Sequence, residues 1–422
     1  LPTLEGEGGN VKNNTIRLNG AVTLTFKPVK WLTLEGMVAP RYVTTNNHTF
    51  VKKMKFYSDA FGTVSNSSNV AFNYLDESAN RSFYGNYQFT AALQHTFAQN
   101  HNFKLLLGAS RETYDNKTLS AHREDFAYPD YEVIGAGADN ETKDNGGGHA
   151  QWALQSFFGR LNYDYKGKYL VEVSGRYDGT SRFKRGHRWG FFPSFSLGWR
   201  ISEEPFFEGI REKFNNFKIR YSYGQLGNQN VGYYDYIRKI SIGNQNYLFG
   251  GDKPTTATIS APVASNLSWE TSIHNNLGVD MSFLNNRLAF SADFYIRDTK
   301  DMLTSGVALP SVYGADSPKM NSADLRTKGY ELSLSWRDEF QLLRRPFTYS
   351  VTVTFNDYVT NITKYDNPDR TFAKSYYEGM RWGEIWGYRI GGLFATDAEA
   401  AGYAVDQTAV NNRINAAAGS ER

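Results

Sequence analysis

Tyr165–Asp178 reads Y-K-G-K-Y-L-V-E-V-S-G-R-Y-D, and the alternation in this stretch decides the fold class. After the Lys166-Gly167-Lys168 turn, Tyr169, Val171, Val173 and Tyr177 alternate with Glu172, Ser174, Arg176 and Asp178. Successive side chains of a β-strand point to opposite faces, so the segment has one apolar and one polar face. The period recurs along the chain. Ile16, Leu18, Val22, Leu24 and Phe26 oppose Arg17, Asn19, Thr23 and Thr25. Phe195, Leu197, Trp199 and Ile201 oppose Ser196 and Arg200, and Ile219, Tyr221 and Tyr223 oppose Arg220 and Ser222. Leu277, Val279, Met281 and Phe283 oppose Asp280 and Ser282; Tyr330, Leu332, Leu334 and Trp336 oppose Glu331, Ser333 and Ser335. About 12 such segments lie between Thr15 and Ile362, and helical spacing is nearly absent. The chain reads as all-β.

The connections alternate in length. Tight ones are expected at Lys27–Lys30, Gln99–Asn102, Lys166–Lys168, Asn215-Asn216 and Asn285-Asn286, where Asn, Gly and Pro supply the dihedrals short hairpins need. Long polar loops are expected over about Thr45–Asn80, Lys117–His149, Gln229–Asn266, Thr304–Asn321 and Asp366–Met380. Strands of about 12–16 residues joined this way describe an up-and-down meander of the transmembrane kind, since about 9–11 tilted residues cross a bilayer. Composition agrees. Of 422 residues, 28 are Tyr, 29 Phe and 8 Trp, yet only 40% are hydrophobic. A barrel wall accounts for this: half of each strand faces lipid, half faces water, and aromatics gather at the interfaces. Soluble sandwiches and propellers use short, evenly spaced strands. No apolar run approaches the ~18 residues of a spanning helix. With no Cys, disulfides, thiolate metal sites and Cys nucleophiles are excluded, and a net charge of +3 implies no nucleic-acid partner. Leu1 is followed by no basic n-region and apolar h-region, so no signal peptide is expected at this start.

Longer blocks carry a family resemblance. G-R-L-N-Y-D-Y-K-G-K-Y-L, G-R-Y-D-G-T-S-R-F and W-G-F-F-P-S-F-S-L-G-W-R-I-S-E-E-P-F-F fall within Phe158–Phe207. They are followed by I-R-Y-S-Y-G-Q-L-G-N-Q-N (Ile219–Asn230), N-L-S-W-E-T (Asn266–Thr271) and F-S-A-D-F-Y-I-R-D-T-K-D-M-L (Phe290–Leu303). K-G-Y-E-L-S-L-S-W (Lys328–Trp336) and G-E-I-W-G-Y-R-I-G-G-L-F (Gly383–Phe394) complete the series. In order and spacing these resemble the barrel of SusC/RagA-type TonB-dependent outer-membrane transporters of Bacteroidetes. The resemblance implies a roughly 22-stranded barrel of the plugged kind. It also implies a plug domain with a TonB box, a SusD-like surface lipoprotein capping the mouth, paired transporter–lipoprotein assemblies, and an oligosaccharide or oligopeptide as cargo. Nothing before Thr15 resembles a plug, and the Ala-rich Thr396–Ser420 departs from the family pattern. Residues 1–422 are therefore expected to be one partial barrel domain, an interior piece whose first and last strands pair with further segments.

The expected roles follow. Glu172, Arg176, Asp178, Arg200 and Arg220 are candidates for the lumen wall, where they would contact the plug or line the cargo route. Arg182, Lys184, Arg185, Arg188 and Trp189 are candidates for the extracellular rim, facing lipopolysaccharide or the capping lipoprotein. The pairs Asp178/Arg182 and Glu203/Glu204 read as wall or turn charges rather than acid–base machinery. The seven His lack metal-ligand spacing, and Gly146-Gly147-Gly148 lacks a phosphate-loop context and reads as flexible linker. No enzyme activity, cofactor or metal is expected. The Tyr-, Asn- and Asp-rich loops Asp125–Tyr131 and Tyr233–Asp252 suit sugar stacking and peptide pairing equally. A passive porin and a soluble carbohydrate-binding β-protein are the alternatives from other classes. Val171 is expected at the lipid-facing midplane, with Ser174 on the other face.

Overall fold

A computed structural model describes residues 8–54, 70–244, 255–260, 262–264, 266–306, 309–310, 312, 314, 317–370, 376–385, 387 and 391–404. Thirteen strands form one antiparallel sheet. They are β1 (Gly9–Asn19), β2 (Val22–Val29), β3 (Leu32–Val51), β4 (Tyr74–Phe97), β5 (His101–Glu124), β6 (Asp144–Tyr165), β7 (Tyr169–Thr180), β8 (Trp189–Arg200), β9 (Phe214–Asn228), β12 (Glu270–Phe283), β13 (Leu288–Ser305), β14 (Lys319–Leu342) and β15 (Arg345–Lys364). A hairpin of β10 (Ile240–Asn244) and β11 (Thr255–Ile259) stands apart in the loop between β9 and β12. Each strand pairs with its sequence neighbour, the up-and-down order expected, with one variation. β1 pairs Arg41–Val51 of β3 while β2 pairs Leu32–Val38 of the same strand. The two are one strand interrupted opposite Pro40, which has no N–H to donate to a ladder; the Gly20 amide still donates to the Pro40 carbonyl at 3.0 Å. Thirteen strands thus fill twelve places.

The register sorts the side chains. Leu32, Leu93, Leu105, Leu161, Val173, Phe195 and Tyr223 are successive cross-strand partners on one face. The next row, on the opposite face, is Lys104, Asn162, Glu172, Ser196, Ser222 and Asn276. The apolar face lies open: Val173 is 51% and Leu197 47% exposed. Packing in water would bury such a face; a bilayer leaves it uncovered by protein. Aromatics edge the belt at both ends. Tyr177 and Trp189 stack at 4.7 Å on the long-loop side, and Tyr165 and Tyr169 at 6.3 Å on the short-turn side. Between Trp189 and Trp199 on β8, ~3.3 Å per residue at a tilt of ~40° gives a belt height of about 25 Å. Its centre falls at Val173, midway between Tyr169 and Tyr177. Val171 is on the lipid side as expected, but it sits two residues from that centre, halfway to the Tyr169 edge.

Several expected connections are revised. Turns occupy the Lys166–Lys168 and Leu284–Arg287 positions, but Asn215 and Asn216 are inside β9. The real connection there holds two 3-10 segments, Ile201–Glu203 and Pro205–Ile210, with the Arg211 guanidinium donating to the Ser202 carbonyl at 2.9 and 2.6 Å. Of the loops expected over Thr45–Asn80 and Lys117–His149, a loop remains over 125–143, and residues 55–69 lie outside the described residues. Both stretches are strand at their ends, because β3, β4, β5 and β6 continue past the belt to lengths of 20, 24, 24 and 22 residues. There water wets both faces and the apolar alternation lapses. Gly146, Gly147 and Gly148 are in β6, paired with Ser120, Leu119 and Thr118, not in a flexible linker.

The described residues hold two buried clusters, both at the long-loop end. Phe50, Leu75 and Phe126 anchor the loop after β5. Glu132 of that loop accepts from Asn10 at 2.5 Å and Lys12 at 3.2 Å and lies 2.9 Å from His48 Nε2. Burial pushes the Glu132 carboxyl up, but these partners outweigh it and hold it below the usual carboxylate range. The other cluster is Phe183, Phe192, Val231, Leu267 and Trp269, where the loops after β7 and β9 settle on the polar face. Residues 383–422 form a separate unit, whose described part contains the short helix α1 (Asp397–Ala401).

Candidate functional site

The polar face carries charges that satisfy one another across strands. Arg220 on β9 reaches over β12 to Asp293 on β13, with Nη1–Oδ1 and Nη2–Oδ2 both at 2.6 Å, and its Nε donates to Asp280 at 3.1 Å. Asn276 donates to the same Asp293 at 2.8 Å. This span exists because position 278 is Gly: a Cβ there would lie 2.4 Å from Arg220 Cζ. Gly278→Ala is therefore expected to push the guanidinium off Asp293. Arg220→Ala, leaving two carboxylates facing each other, is expected to cost about 2–3 kcal/mol, at the low end for a broken pair because the arginine is part-exposed. Urea titration of the refolded barrel measures both.

The other expected wall residues fall on the same face. Glu172 accepts from the Asn162 amide, and with Lys104, Asp164, Lys218 and Arg220 it lines a concavity of about 490 Å³ toward the short-turn end. Arg176 donates to Asp178 at 2.7 Å and to Ser156 at 2.7 Å, and lies 5.3 Å over the Phe158 ring. Asp178 is thus paired with Arg176 rather than Arg182. Arg200 is at the short-turn edge, bonded to Glu203 at 3.0 Å and the Gly167 carbonyl at 3.3 Å, where it ties two turns together. Glu204 accepts from Trp199 at 3.1 Å and lies 3.4 Å from Lys168; Tyr169 and then Trp199 hold its carboxyl below the ordinary range.

The basic stretch expected at the rim is divided by the fold. Phe183 at its centre is wholly buried. Arg182 turns inward, its guanidinium 5.3 Å over the Trp152 ring and 4.9 Å over Tyr233, with Nη1 donating to the Val231 carbonyl at 2.8 Å. Arg188 donates to the Phe183 carbonyl at 3.0 Å. Trp189 joins the lipid-side girdle, and of the stretch's Arg and Lys residues Lys184 and Arg185 stand exposed.

Arg182 belongs to a group that the sequence reading did not single out. Arg41, Tyr84, Tyr114 and Trp152 are successive register partners across β3–β6 on the polar face. Tyr114 and Trp152 stack at 6.1 Å, Tyr114 and Tyr233 at 6.5 Å, and Arg41 covers Tyr84 at 5.5 Å. The Tyr84 hydroxyl donates to Glu112 at 2.8 Å. The signal was present: Tyr84 is in phase with the polar Ser82, Asn86 and Gln88 of its strand, and Tyr114 with Ser110, Glu112 and Asn116. Of the loops expected to meet cargo, Tyr128 and Tyr131 are exposed, Tyr233 joins the stack, and residues 245–252 lie outside the described residues.

Comparison with known proteins identifies this architecture. The TonB dependent receptor-like, beta-barrel family matches residues 6–418. TonB-dependent receptor P26 of Formosa agariphila is 30% identical over 337 residues, covering 76% of this chain and 32% of its own length. TonB-dependent receptor SusC of Bacteroides thetaiotaomicron is 35% identical over 227 residues, 51% of this chain and 22% of SusC. The structure of the RagAB peptide transporter superposes with a TM-score of 0.73 at 22% identity, covering 86% of this chain and 38% of that one. The chain thus spans at most about a third of the curated relatives it matches. It belongs to the TonB-dependent receptor-like β-barrel family, in its SusC/RagA-type outer-membrane branch.

Proposed function

We propose that this chain is the greater part of the wall of an energy-coupled importer for oligosaccharides or oligopeptides. In this reading the polar face is the lumen, a plug domain carrying a TonB box fills it, and a SusD-like lipoprotein caps the mouth, with transporter–lipoprotein pairs assembling as dimers. Residues 1–422 act as one partial barrel domain completed by further strands. Glu172, Arg176, Asp178 and Arg220 offer the plug and the passing cargo a charged, hydrogen-bonding surface, while Arg200 braces the periplasmic turns. Lys184 and Arg185 remain for contacts at the extracellular rim. Transport makes and breaks no covalent bond, so no catalytic residue is assigned.

The observation that carries the reading is the Tyr84–Tyr114–Trp152 row with Tyr233 and Arg182 laid upon it. Flat aromatic faces on a polar lumen wall suit sugar rings or peptide planes, and a guanidinium adds a cation–π partner. Tyr233, carried on a loop, occupies the position a cargo ring would take, so cargo binding displaces it. The test uses the full-length transporter in cells. Tyr114→Ala with Trp152→Ala should cut uptake of labelled oligosaccharides or oligopeptides about tenfold or more, from ~0.5–1.5 kcal/mol per aromatic contact. Uptake that persists without TonB would show a passive pore and overturn the reading.

A further inference from the structure

Above the apolar belt, the lipid-side face of β4–β6 turns cationic. Tyr87 faces Arg111 across the β4–β5 ladder, and Arg81 faces Lys117; Lys117 in turn faces His149 on β6. Arg81, Arg111, Lys117 and His149 are exposed. Like charges at facing positions of a ladder repel and destabilise a sheet, yet Arg81 and Lys117 stand in that relation. Among the described residues Arg81, Arg111 and Lys117 make no ion pair within 4 Å, and the charge of Lys117 is met at longer range by Asp115. The carboxylate nearest them, Asp115, is held by His149 Nε2 at 2.9 Å and by the Gln151 amide. Arg81, Lys117 and Asp115 line a concavity of about 410 Å³ whose other walls include the apolar Tyr42, Phe83 and Leu119. A cationic hollow with apolar walls, opening on the lipid side, fits an anionic amphiphile.

Height narrows the choice. Tyr87 is ten residues from Phe97 at the short-turn edge of β4, the same interval as between Trp189 and Trp199 on β8, so Arg111 stands level with the girdle. Arg81 is six residues further out, about 20 Å along the strand and about 15 Å along the membrane normal at a ~40° tilt. Interfacial headgroup layers are only about 5–7 Å deep on each side of the hydrocarbon. A simple phospholipid therefore reaches Arg111 and falls short of the Arg81–Lys117 pair. We propose that this face binds a phosphorylated glycolipid of the outer leaflet: one phosphate meets Arg111 and the girdle, and a further phosphate or acidic sugar on the extended headgroup bridges Arg81 and Lys117. The binding is charge-assisted and geometric. It depends on the outer-membrane location and not on the cargo reading.

The test compares full-length transporter with Arg81→Gln/Lys117→Gln, purified in detergent and shown by heat-modifiable gel migration to be folded. Bisphosphorylated lipid A carrying core sugars and phosphatidylglycerol serve as probes, read by native mass spectrometry. The wild type should retain the glycolipid at least tenfold better than the double variant. Lys27→Gln/Lys30→Gln, the same charge change at the opposite edge, should behave as wild type, and Arg81→Lys/Lys117→Arg should restore retention if the Gln variant folds poorly. Equal retention by wild type and double variant would overturn the proposal. So would equal preference for phosphatidylglycerol, or a second protein chain in place of lipid at this face.

Discussion

Val173→Arg should cost the folded barrel about 2–4 kcal/mol, Val171→Arg less, and Ser174→Arg least of the three. Val173 has Leu161 and Phe195 as flanking register partners and stands at the centre of the belt, so a guanidinium there reaches neither interface without crossing about half the hydrocarbon. Val171 is two residues nearer the Tyr165–Tyr169 edge, and an arginine at that depth snorkels to headgroups. Ser174 is one residue from Val173 but on the other face, with its Oγ 2.6 Å from Ser194 Oγ in water-accessible surroundings. Urea titration of refolding into liposomes ranks the three. Equal costs for Val173→Arg and Ser174→Arg would overturn the facing, and with it the lumen assigned to the polar face.

That facing was legible in the sequence wherever one face meets lipid and the other water. Tyr169–Asp178 states it directly, and β7, β8, β9 and β12 follow. Legibility ended where the solvent became the same on both faces. Thr45–Val51 and Thr118–Glu124 are strands with polar residues on both sides, so period two is physically unnecessary there and the residues read as loop. The same lapse concealed Gly146–Gly148, where backbone pairing with Thr118–Ser120 holds a strand with no side-chain pattern. Asn215-Asn216 misled because a turn-favouring pair sits at a strand entrance, just past the turn. Among the candidate residues, Arg220 could be assigned a face from parity alone. Its partner Asp293 could not, because reaching past β12 depends on which strands adjoin and on the space at Gly278. The aromatic row was visible as Tyr84 and Tyr114 out of phase with the lipid face. Its closure by Arg182 and Tyr233 is a property of loops, which no periodicity records.

Phe183→Ala is the other large expected effect, and its site distinguishes loop order from barrel stability. The ring is wholly buried, packed edge-on to Trp269 at 5.6 Å within the cluster that includes Phe192 and Val231. Truncating such a ring costs about 3–5 kcal/mol, the lost transfer plus the cavity left behind. Little of that cost should appear in the unfolding of the barrel, whose ladders are made elsewhere. It should appear as local opening of residues 181–188 and 229–237, which share the cluster. Arg182 is coupled to it: its position over Trp152 and Tyr233 depends on the Phe183 anchor and on its bond to the Val231 carbonyl. Hydrogen exchange should therefore accelerate about a hundredfold or more in both loops, from the same energy at 1.4 kcal/mol per decade, while heat-modifiable migration stays unchanged. The Trp152 face is then uncovered. If Tyr233 holds the place of cargo, Phe183→Ala should strengthen binding of a short sugar or peptide probe to the full-length transporter even as it loosens the loops. If the stack serves only to fasten the loop, the same variant should loosen the loops and leave probe binding unchanged or weaker.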